Sequence, residues 1–230
     1  MIYEKILEGQ PLEDVFVFDC HGHIHPDPKF NTPDCDGAGI LKTLDRLGVN
    51  GMAVSSVIAF YSDVNFGNED LLQTVKAHPG RLYGYLTLSP YTACDPEKYL
   101  TDGTGFVGVK IHASVNKTVI DDPRYMPALE IADQKGMAVL LHTWSAGDVR
   151  AVAKLADQFP NASFIIAHSA MLGCRDACVE ACRQYENIYC DTAISTSFEG
   201  TIEYMVNKIG ADRLLYGSDC AFFDCSQTCF

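Results

Sequence analysis

Residues 15–25 read Val15-Phe16-Val17-Phe18-Asp19-Cys20-His21-Gly22-His23-Ile24-His25, and the rest of the chain is best interpreted from this stretch. It begins with β-branched and aromatic residues, which predicts a buried strand. Side chains alternate between the two faces of a strand, so His21 and His23 point the same way, with Gly22 leaving the backbone between them uncrowded. Two imidazoles on one face are typical of a metal site, although such a pair also occurs by chance on a solvated strand.

The composition limits the class of protein. The 230 residues are enough to bury a full core, and no linker or low-complexity tract divides them, so we predict one domain over residues 1–230. The net charge of −13 would repel phosphate backbones and anionic membranes. The sequence has no apolar run near the roughly 18 residues of a membrane span and no signal-peptide pattern at its start. We therefore expect a cytoplasmic protein that binds neither nucleic acid nor membranes.

Strand-like and helix-like segments alternate along the whole chain. The pattern predicts eight strands joined by seven helices, with connections long enough for right-handed parallel crossovers. The expected fold class is α/β, and the expected architecture is a (β/α)₈ TIM barrel. A doubly wound open sheet is the alternative, but its Gly-rich phosphate-binding turn is missing from the sequence. The predicted strands lie within residues 15–25, 51–59, 82–88, 106–112, 138–142, 163–168, 188–191 and 213–219.

Titratable residues collect at the carboxyl ends of these predicted strands, which form the active-site face of such a barrel. They are His21 and His23 on the first strand, Lys110 and His112 on the fourth, His142 on the fifth, His168 on the sixth and Asp219 on the eighth. One histidine after an apolar run is usually a hydrogen-bonded core residue, but several at one rim favour a shared site. A catalytic zinc-type site needs a few neutral imidazoles or carboxylates, and His21, His23, His142 and Asp219 supply such a set.

The successive strand motifs resemble those of the amidohydrolase superfamily. The motifs are Asp19-Cys20-His21-Gly22-His23, Gly108-Val109-Lys110-Ile111-His112, Val139-Leu140-Leu141-His142-Thr143, Ile166-Ala167-His168 and Leu215-Tyr216-Gly217-Ser218-Asp219. They are most similar to the amidohydrolase-related branch that includes carboxymuconate-semialdehyde decarboxylase and dicarboxylate lactonase relatives. The resemblance extends from about Val15 to Asp219 and says little about the substrate.

The resemblance implies roles for the residues at the strand ends. His21, His23 and His142 would be metal ligands, and Asp219 would be a ligand or the general base beside the bound water. His168 would hydrogen-bond the water or the substrate, or hold a second metal ion.

Lys110 has two interpretations under this resemblance. In some binuclear members a lysine on the fourth strand is carbamylated and bridges two metal ions, whereas one metal ion is usual in the most similar branch. A lysine in the barrel mouth is unfavourable to bury unpaired, so it either meets a carboxylate or is modified. We favour an unmodified Lys110 that meets an anionic group of the substrate. His112 shares its face, so it either contacts the same group or forms a structural hydrogen bond.

These roles predict a metal-dependent hydrolase that acts on a small, carboxylate-bearing substrate. Zn²⁺ is the expected metal, because it acidifies a bound water and polarises a carbonyl, while Asp219 moves the proton. Non-oxidative decarboxylation at the same site is the first alternative. A metal-binding barrel without catalysis is the second.

The cysteines and the residues after the last strand complete the expectations. The ten cysteines lie within apolar, patterned segments, so we expect reduced thiols rather than a disulfide framework. Only residues 220–230 follow Asp219, too few for the eighth helix that normally covers strands eight and one in this superfamily. We therefore expect a barrel without that helix, and either a homo-oligomer that buries the exposed seam or a weakly stable product.

Overall fold

The eight strands lie in one parallel sheet, and their order in the sheet is their order in the chain. The computed structural model describes residues 2–194 and 197–222. The strands are β1 (Phe18–Ile24), β2 (Gly51–Ser56), β3 (Leu82–Thr87), β4 (Phe106–Ile111), β5 (Ala138–His142), β6 (Ser163–Ala167), β7 (Ile188–Asp191) and β8 (Leu214–Leu215). Beyond β8, Cys220 pairs in parallel with Gly22, and the Asp219 amide donates to the carbonyl of His21 at 2.8 Å. The ring of strands is therefore nearly closed, which confirms the predicted (β/α)₈ barrel.

An α-helix precedes β1, and the others occupy the connections between successive strands. Within the described residues they are α1 (Ile2–Leu7), α2 (Gly37–Leu47), α3 (Val57–Tyr61), α4 (Val64–Ala77), α5 (Pro96–Tyr99), α6 (Ala113–Asn116), α7 (Met126–Gln134), α8 (Ala146–Gln158), α9 (Arg175–Gln184) and α10 (Thr201–Ile209). The short helix α3 replaces the end of the second strand predicted from the sequence. The reason is local, because the Ser56 hydroxyl accepts a hydrogen bond from the Ala59 amide and caps α3 directly after β2.

Apolar side chains pack on both faces of the strands. A large cluster fills the space between strands and helices, and a smaller one is formed by Ala53, Tyr85, Leu140, Ile165 and Ala167. We place the smaller cluster inside the barrel, since the Tyr85 hydroxyl in it donates to the carbonyl of Cys20 on β1 at 3.0 Å. Alternate residues of a strand share a face, so the row that contains Leu140 continues to His142. The packing of the barrel interior thus directs the strand-end histidine toward the barrel mouth.

Gly108 in β4 leaves no room for a side chain beside β5, and its replacement tests the packing. A Cβ atom at this position would lie 1.8 Å from the carbonyl oxygen of Ala138 in β5, so Gly108→Ala must push the two strands apart. We expect a loss of at least about 3 kcal/mol in the free energy of unfolding, at the upper end for overpacked cores. Gly173→Ala is the matched control, because no atom lies within 4 Å of its Cβ position, and it should change stability by less than about 0.5 kcal/mol. Urea unfolding gives the free energy of unfolding of both variants. Equal values for Gly108→Ala and Gly173→Ala would contradict this packing.

Three further expectations can be compared with the structure. The predicted lack of an eighth covering helix concerns residues 223–230, which lie outside the described residues, so it and the self-association derived from it stay predictions. No helix within residues 2–194 and 197–222 is long and apolar enough to cross a membrane. Among the cysteines of the described residues, seven are free thiols as predicted, but Cys220 is disulfide-bonded, so the prediction of reduced thiols is wrong for that residue.

Candidate metal centre

A cavity of about 600 Å³ opens at the carboxyl ends of the strands. Its lining combines imidazoles and one carboxylate with aromatic rings and two lysines. The lining residues include His23, His112, His142, His168 and Asp219, the aromatic residues Phe30, Phe60, Tyr61, Trp144 and Phe222, and Lys29 and Lys117. A concave site with a few convergent polar groups on this face of a barrel is where catalysis is expected.

Three buried residues bring metal-binding atoms together beside this cavity. Donor atoms of His21, His168 and Asp219 all lie within 4.8 Å of one another. Asp219 Oδ1 is 3.5 Å from His21 Nε2 and 2.9 Å from His23 Nε2. One carboxylate from the segment after β8 therefore meets both imidazoles of the β1 motif. Imidazole nitrogens and a carboxylate oxygen are a donor set that suits a divalent metal ion.

The hydrogen bonds of His168 and His142 fix which ring nitrogens carry lone pairs. His168 Nδ1 contacts the carbonyl oxygen of Ala193, which can only accept, so Nδ1 carries the hydrogen and Nε2 keeps a lone pair. His142 Nδ1 lies 3.0 Å from that Nε2 and must donate to it. His142 Nε2 is then a buried lone pair without a hydrogen-bond partner among the described residues. A bound cation would satisfy this lone pair, so the residues fit a metal ion.

Burial keeps the imidazoles of the site neutral. It lowers the pKa of His21 and of His142 well below the ordinary value, and the charge of Lys110 acts on both in the same direction. Burial also lowers the pKa of His23 and His168, where the nearby Asp219 opposes it only in part. The neutral imidazole is the form that binds a metal ion.

Asp219 is ionised despite being buried. Burial pushes its pKa up, but the hydrogen bond from His23 and the electrostatic effect of the nearby imidazoles and Lys110 outweigh it, so the pKa lies below its ordinary value. The backbone φ is +60° at Asp219 and also at His168. Residues other than glycine seldom adopt this left-handed backbone conformation, and residues with such strained backbones are frequent at functional sites.

The observed partner of Lys110 is an imidazole of the first strand. It is fully buried in β4, and its Nζ donates to His21 Nε2 at 2.8 Å. Burial lowers its pKa to about 8, against the opposing charges of Asp219 and Asp191. Lys110 does not line the cavity, where the lysines of the described residues are Lys29 and Lys117. Contact of Lys110 with a substrate anion therefore stays a prediction, and its observed partner is an imidazole.

Asp191 belongs to the site and was not predicted. Its Oδ2 lies 2.7 Å from His21 Nδ1, and its Oδ1 accepts a hydrogen bond from the His168 amide at 2.8 Å. Asp191 is the last residue of the apolar strand β7, as His142 is of β5, so the sequence contained the signal. Ser55, whose Oγ lies 3.0 Å from His23 Nδ1, had no such signal, because it sits within a buried strand.

The remaining rim histidines differ in their surroundings. The His112 ring stacks on His142 with centroids 3.8 Å apart, so it extends the cavity wall. Burial lowers the pKa of His112 to about 2, and it too is neutral. His25 is directed elsewhere, with ring nitrogens 2.9 Å from Ser56 Oγ and 2.7 Å from Asp70 Oδ2.

Comparison with known proteins agrees with this architecture. Residues 18–226 match the family model described as Amidohydrolase. The fold is similar to that of 2,6-dihydroxybenzoate decarboxylase from Rhizobium, with a TM-score of 0.67 and 16% identity over 93% of this chain and 90% of that chain. It is also similar to 5-carboxyvanillate decarboxylase from Novosphingobium aromaticivorans in complex with manganese and a substituted nitrobenzoic acid, with a TM-score of 0.67 and 11% identity over 94% of this chain and 90% of that chain. A third similar structure is a probable 2-pyrone-4,6-dicarboxylic acid hydrolase from Acinetobacter baumannii, with a TM-score of 0.67 and 13% identity over 92% of this chain and 86% of that chain.

At such identities the structural likeness describes the fold alone. The family match is the stronger finding, because it spans β1 to β8 and includes every residue of the candidate metal centre. The chain therefore belongs to the amidohydrolase family.

Proposed function

We propose that this chain is a divalent-metal-dependent hydrolase that acts on a small, carboxylate-bearing molecule. The observation that carries the proposal is the position of Asp219. It is a buried carboxylate with a lowered pKa, it lines the cavity, and it stands beside several neutral imidazoles. Hydrolysis needs such a base at the start of the reaction, already deprotonated and next to the metal ligands.

The metal ion would be held by His21, His23, His142 and Asp219, with Zn²⁺ the best match to this set of nitrogen and oxygen donors. His168 belongs to the same group of donor atoms, so it is the alternative third imidazole ligand as well as a hydrogen-bonding partner for water or substrate. When bound, a divalent ion of this kind acidifies water and polarises a carbonyl.

The protein's own residues would then handle the proton. Asp219 takes a proton from the attacking water as its oxygen forms a bond to the substrate carbonyl carbon. It returns that proton to the leaving group when the scissile bond breaks, so the carboxylate is regenerated. A hydrogen bond of 2.9 Å joins His23 Nε2 to this carboxylate, which therefore stands within reach of the imidazoles proposed as ligands.

The cavity lining supports a flat, anionic substrate. Phe60 and Tyr61 of α3 and Trp144 after β5 offer apolar ring faces on which a planar molecule can stack. Lys29 and Lys117 add positive charge at the same cavity in a chain whose net charge is −13, and lysines pair with carboxylates.

Non-oxidative decarboxylation is the second candidate, and the aromatic walls favour it specifically. Apolar walls strip water from a bound carboxylate, which helps the bond to the departing CO₂ to break while a proton is delivered to the carbon left behind. Two of the structurally similar proteins carry the name of a decarboxylase of a benzoic acid, and another carries the name of a hydrolase of a pyrone dicarboxylic acid.

Product analysis separates these reactions. Protein stripped with a chelator and reloaded with Zn²⁺ or Mn²⁺ is incubated in ¹⁸O-labelled water with a panel of lactones, amides and hydroxybenzoic and pyrone carboxylic acids. We expect metal-dependent products that contain ¹⁸O in a new carboxylate and no released CO₂. Release of CO₂ without incorporation of ¹⁸O would instead establish the decarboxylase, and bound metal without turnover of any compound would indicate a barrel without catalysis.

A further inference from the structure

The carboxylate of Asp191 is hydrogen-bonded at both oxygens. Asp191 is fully buried at the end of β7. Its Oδ1 accepts from the backbone amides of His168 at 2.8 Å and Ala193 at 3.2 Å. Its Oδ2 lies 2.7 Å from His21 Nδ1. One side chain therefore connects a β1 imidazole with the segments that follow β6 and β7.

The direction of the bond to His21 follows from the opposite side of the ring. Lys110 Nζ lies 2.8 Å from His21 Nε2, and an ammonium group can only donate, so Nε2 accepts. His21 Nδ1 then carries the hydrogen and donates it to Asp191. In this tautomer the lone pair is on Nε2, where a metal ion would take the place of the hydrogen bond from Lys110.

We propose that Asp191 is a positioning residue that holds His21 in its metal-binding tautomer. The inference rests on the proposed function only in that the Nε2 lone pair is assigned to a metal ion. Asp191 also fixes the Ala193 backbone, and the carbonyl of Ala193 accepts the hydrogen of His168 Nδ1. The same carboxylate thus orients a second imidazole through the backbone. Substitution of a carboxylate that orients a metal-binding histidine commonly lowers metal affinity by about 10- to 100-fold.

His23, the other imidazole of the β1 motif, carries its hydrogen on Nε2, which donates to Asp219 Oδ1 at 2.9 Å. Its Nδ1 lies 3.0 Å from Ser55 Oγ, and a hydroxyl can donate or accept. If a metal ion took the place of the bond to Asp219, the hydrogen of His23 could move to Nδ1 without loss of the bond to Ser55. At His21 the acceptor Asp191 and the donor Lys110 face opposite nitrogens of the ring, which is why the constraint applies to His21.

Asp191→Asn tests this constraint because asparagine has the shape of aspartate. Its NH₂ group donates to His21 Nδ1, where the carboxylate oxygen accepts. The two backbone amides that face Oδ1 can only donate, so the asparagine oxygen should stay with them and its NH₂ group should face His21 Nδ1. His21 must then move its hydrogen to Nε2, which breaks the hydrogen bond from Lys110. The opposite orientation of the amide would break the two hydrogen bonds from the backbone amides of His168 and Ala193. The same exchange beside a catalytic histidine is known to enforce the wrong tautomer.

The first measurement is the tautomer of His21 in metal-free protein labelled with ¹⁵N-histidine. Long-range ¹H–¹⁵N correlation spectra distinguish protonated from unprotonated ring nitrogens, and His21→Gln identifies the signals of His21. We expect the hydrogen on Nδ1 in the unsubstituted protein and on Nε2 in Asp191→Asn. Asp19→Asn is the matched control, since Asp19 is equally buried and its Oδ1 accepts from two backbone amides, at 3.0 and 3.1 Å, but from no imidazole.

The second measurement is the affinity for Zn²⁺, determined by competition with a chromogenic chelator. We expect Asp191→Asn to bind about 10- to 100-fold more weakly, as for other residues that orient metal ligands, and Asp19→Asn to bind as the unsubstituted protein does. A hydrogen on Nε2 in the unsubstituted protein would overturn the inference even if Asp191→Asn does not fold. An unchanged tautomer and unchanged affinity in a folded Asp191→Asn would overturn it as well. The predicted tautomers without zinc binding in any variant would instead reject the proposed function.

Discussion

Asp219→Asn is expected to lower kcat by about 10²- to 10⁴-fold, the usual contribution of a general base, while the protein keeps most of its bound metal. The asparagine oxygen can still accept the hydrogen bond that His23 Nε2 now gives to Asp219 Oδ1 at 2.9 Å. It cannot take up a proton at neutral pH. The measurement is steady-state turnover of the best substrate from the panel, together with the metal content of each preparation.

The control for Asp219→Asn is the same substitution at a carboxylate outside the cavity. Asp70 Oδ2 lies 2.7 Å from His25 Nε2, so Asp70→Asn also changes a carboxylate that is bonded to an imidazole of the first strand region. We expect its kcat to stay within about twofold of the unsubstituted value, because surface substitutions away from the site have small effects. If Asp219→Asn is as active as Asp70→Asn, Asp219 does not transfer the proton.

His142→Ala is expected to weaken metal binding by at least about 100-fold, since the loss of a ligand should exceed the loss of a residue that merely orients one. His142 Nε2 is the buried lone pair without a hydrogen-bond partner among the described residues, and a metal ion is the group that would use it. The loss of turnover should match the loss of metal, and excess Zn²⁺ should restore part of it. Competition with a chelator gives the affinity directly.

His78→Ala is the control for His142→Ala, because His78 caps the end of α4 away from the candidate metal centre. It should keep the metal affinity of the unsubstituted protein. The comparison also decides between two candidate ligands. If His142→Ala keeps its metal and His168→Ala loses it, the third imidazole is His168, which shares the group of donor atoms with His21 and Asp219.

The barrel could be predicted from the sequence because its strands are buried on both faces and appear as separate apolar runs. The bounds of β7 coincide with those predicted, since Ile188–Asp191 is a short run between clear helical patterns. The eighth strand was predicted over residues 213–219, but the ladder with β7 covers only Leu214–Leu215. The residues beyond it bond individually to β1, as when the Cys20 amide donates to the carbonyl of Tyr216 at 2.9 Å. Closure of a ring depends on strand tilt and register, which a local pattern does not contain.

The candidate site could be predicted in part for a similar reason. Parallel strands end at one rim, so His21, His142 and Asp219 were expected to be close before any contact was known. The partner of Lys110 could not be predicted, because it depends on which side chains face each other across the barrel. Asp191 was overlooked although it ends its strand as His142 does, since a lone aspartate after an apolar run is a weak signal beside a pair of histidines.

The metal content of the purified protein tests the central claim most directly. Elemental analysis after reloading with Zn²⁺, compared with the protein concentration, gives the number of ions per chain. We predict one tightly bound ion per chain in the unsubstituted protein and much less than one in His142→Ala. Two ions per chain would require a different role for Lys110, and a chain that holds no divalent metal after reloading would contradict the account.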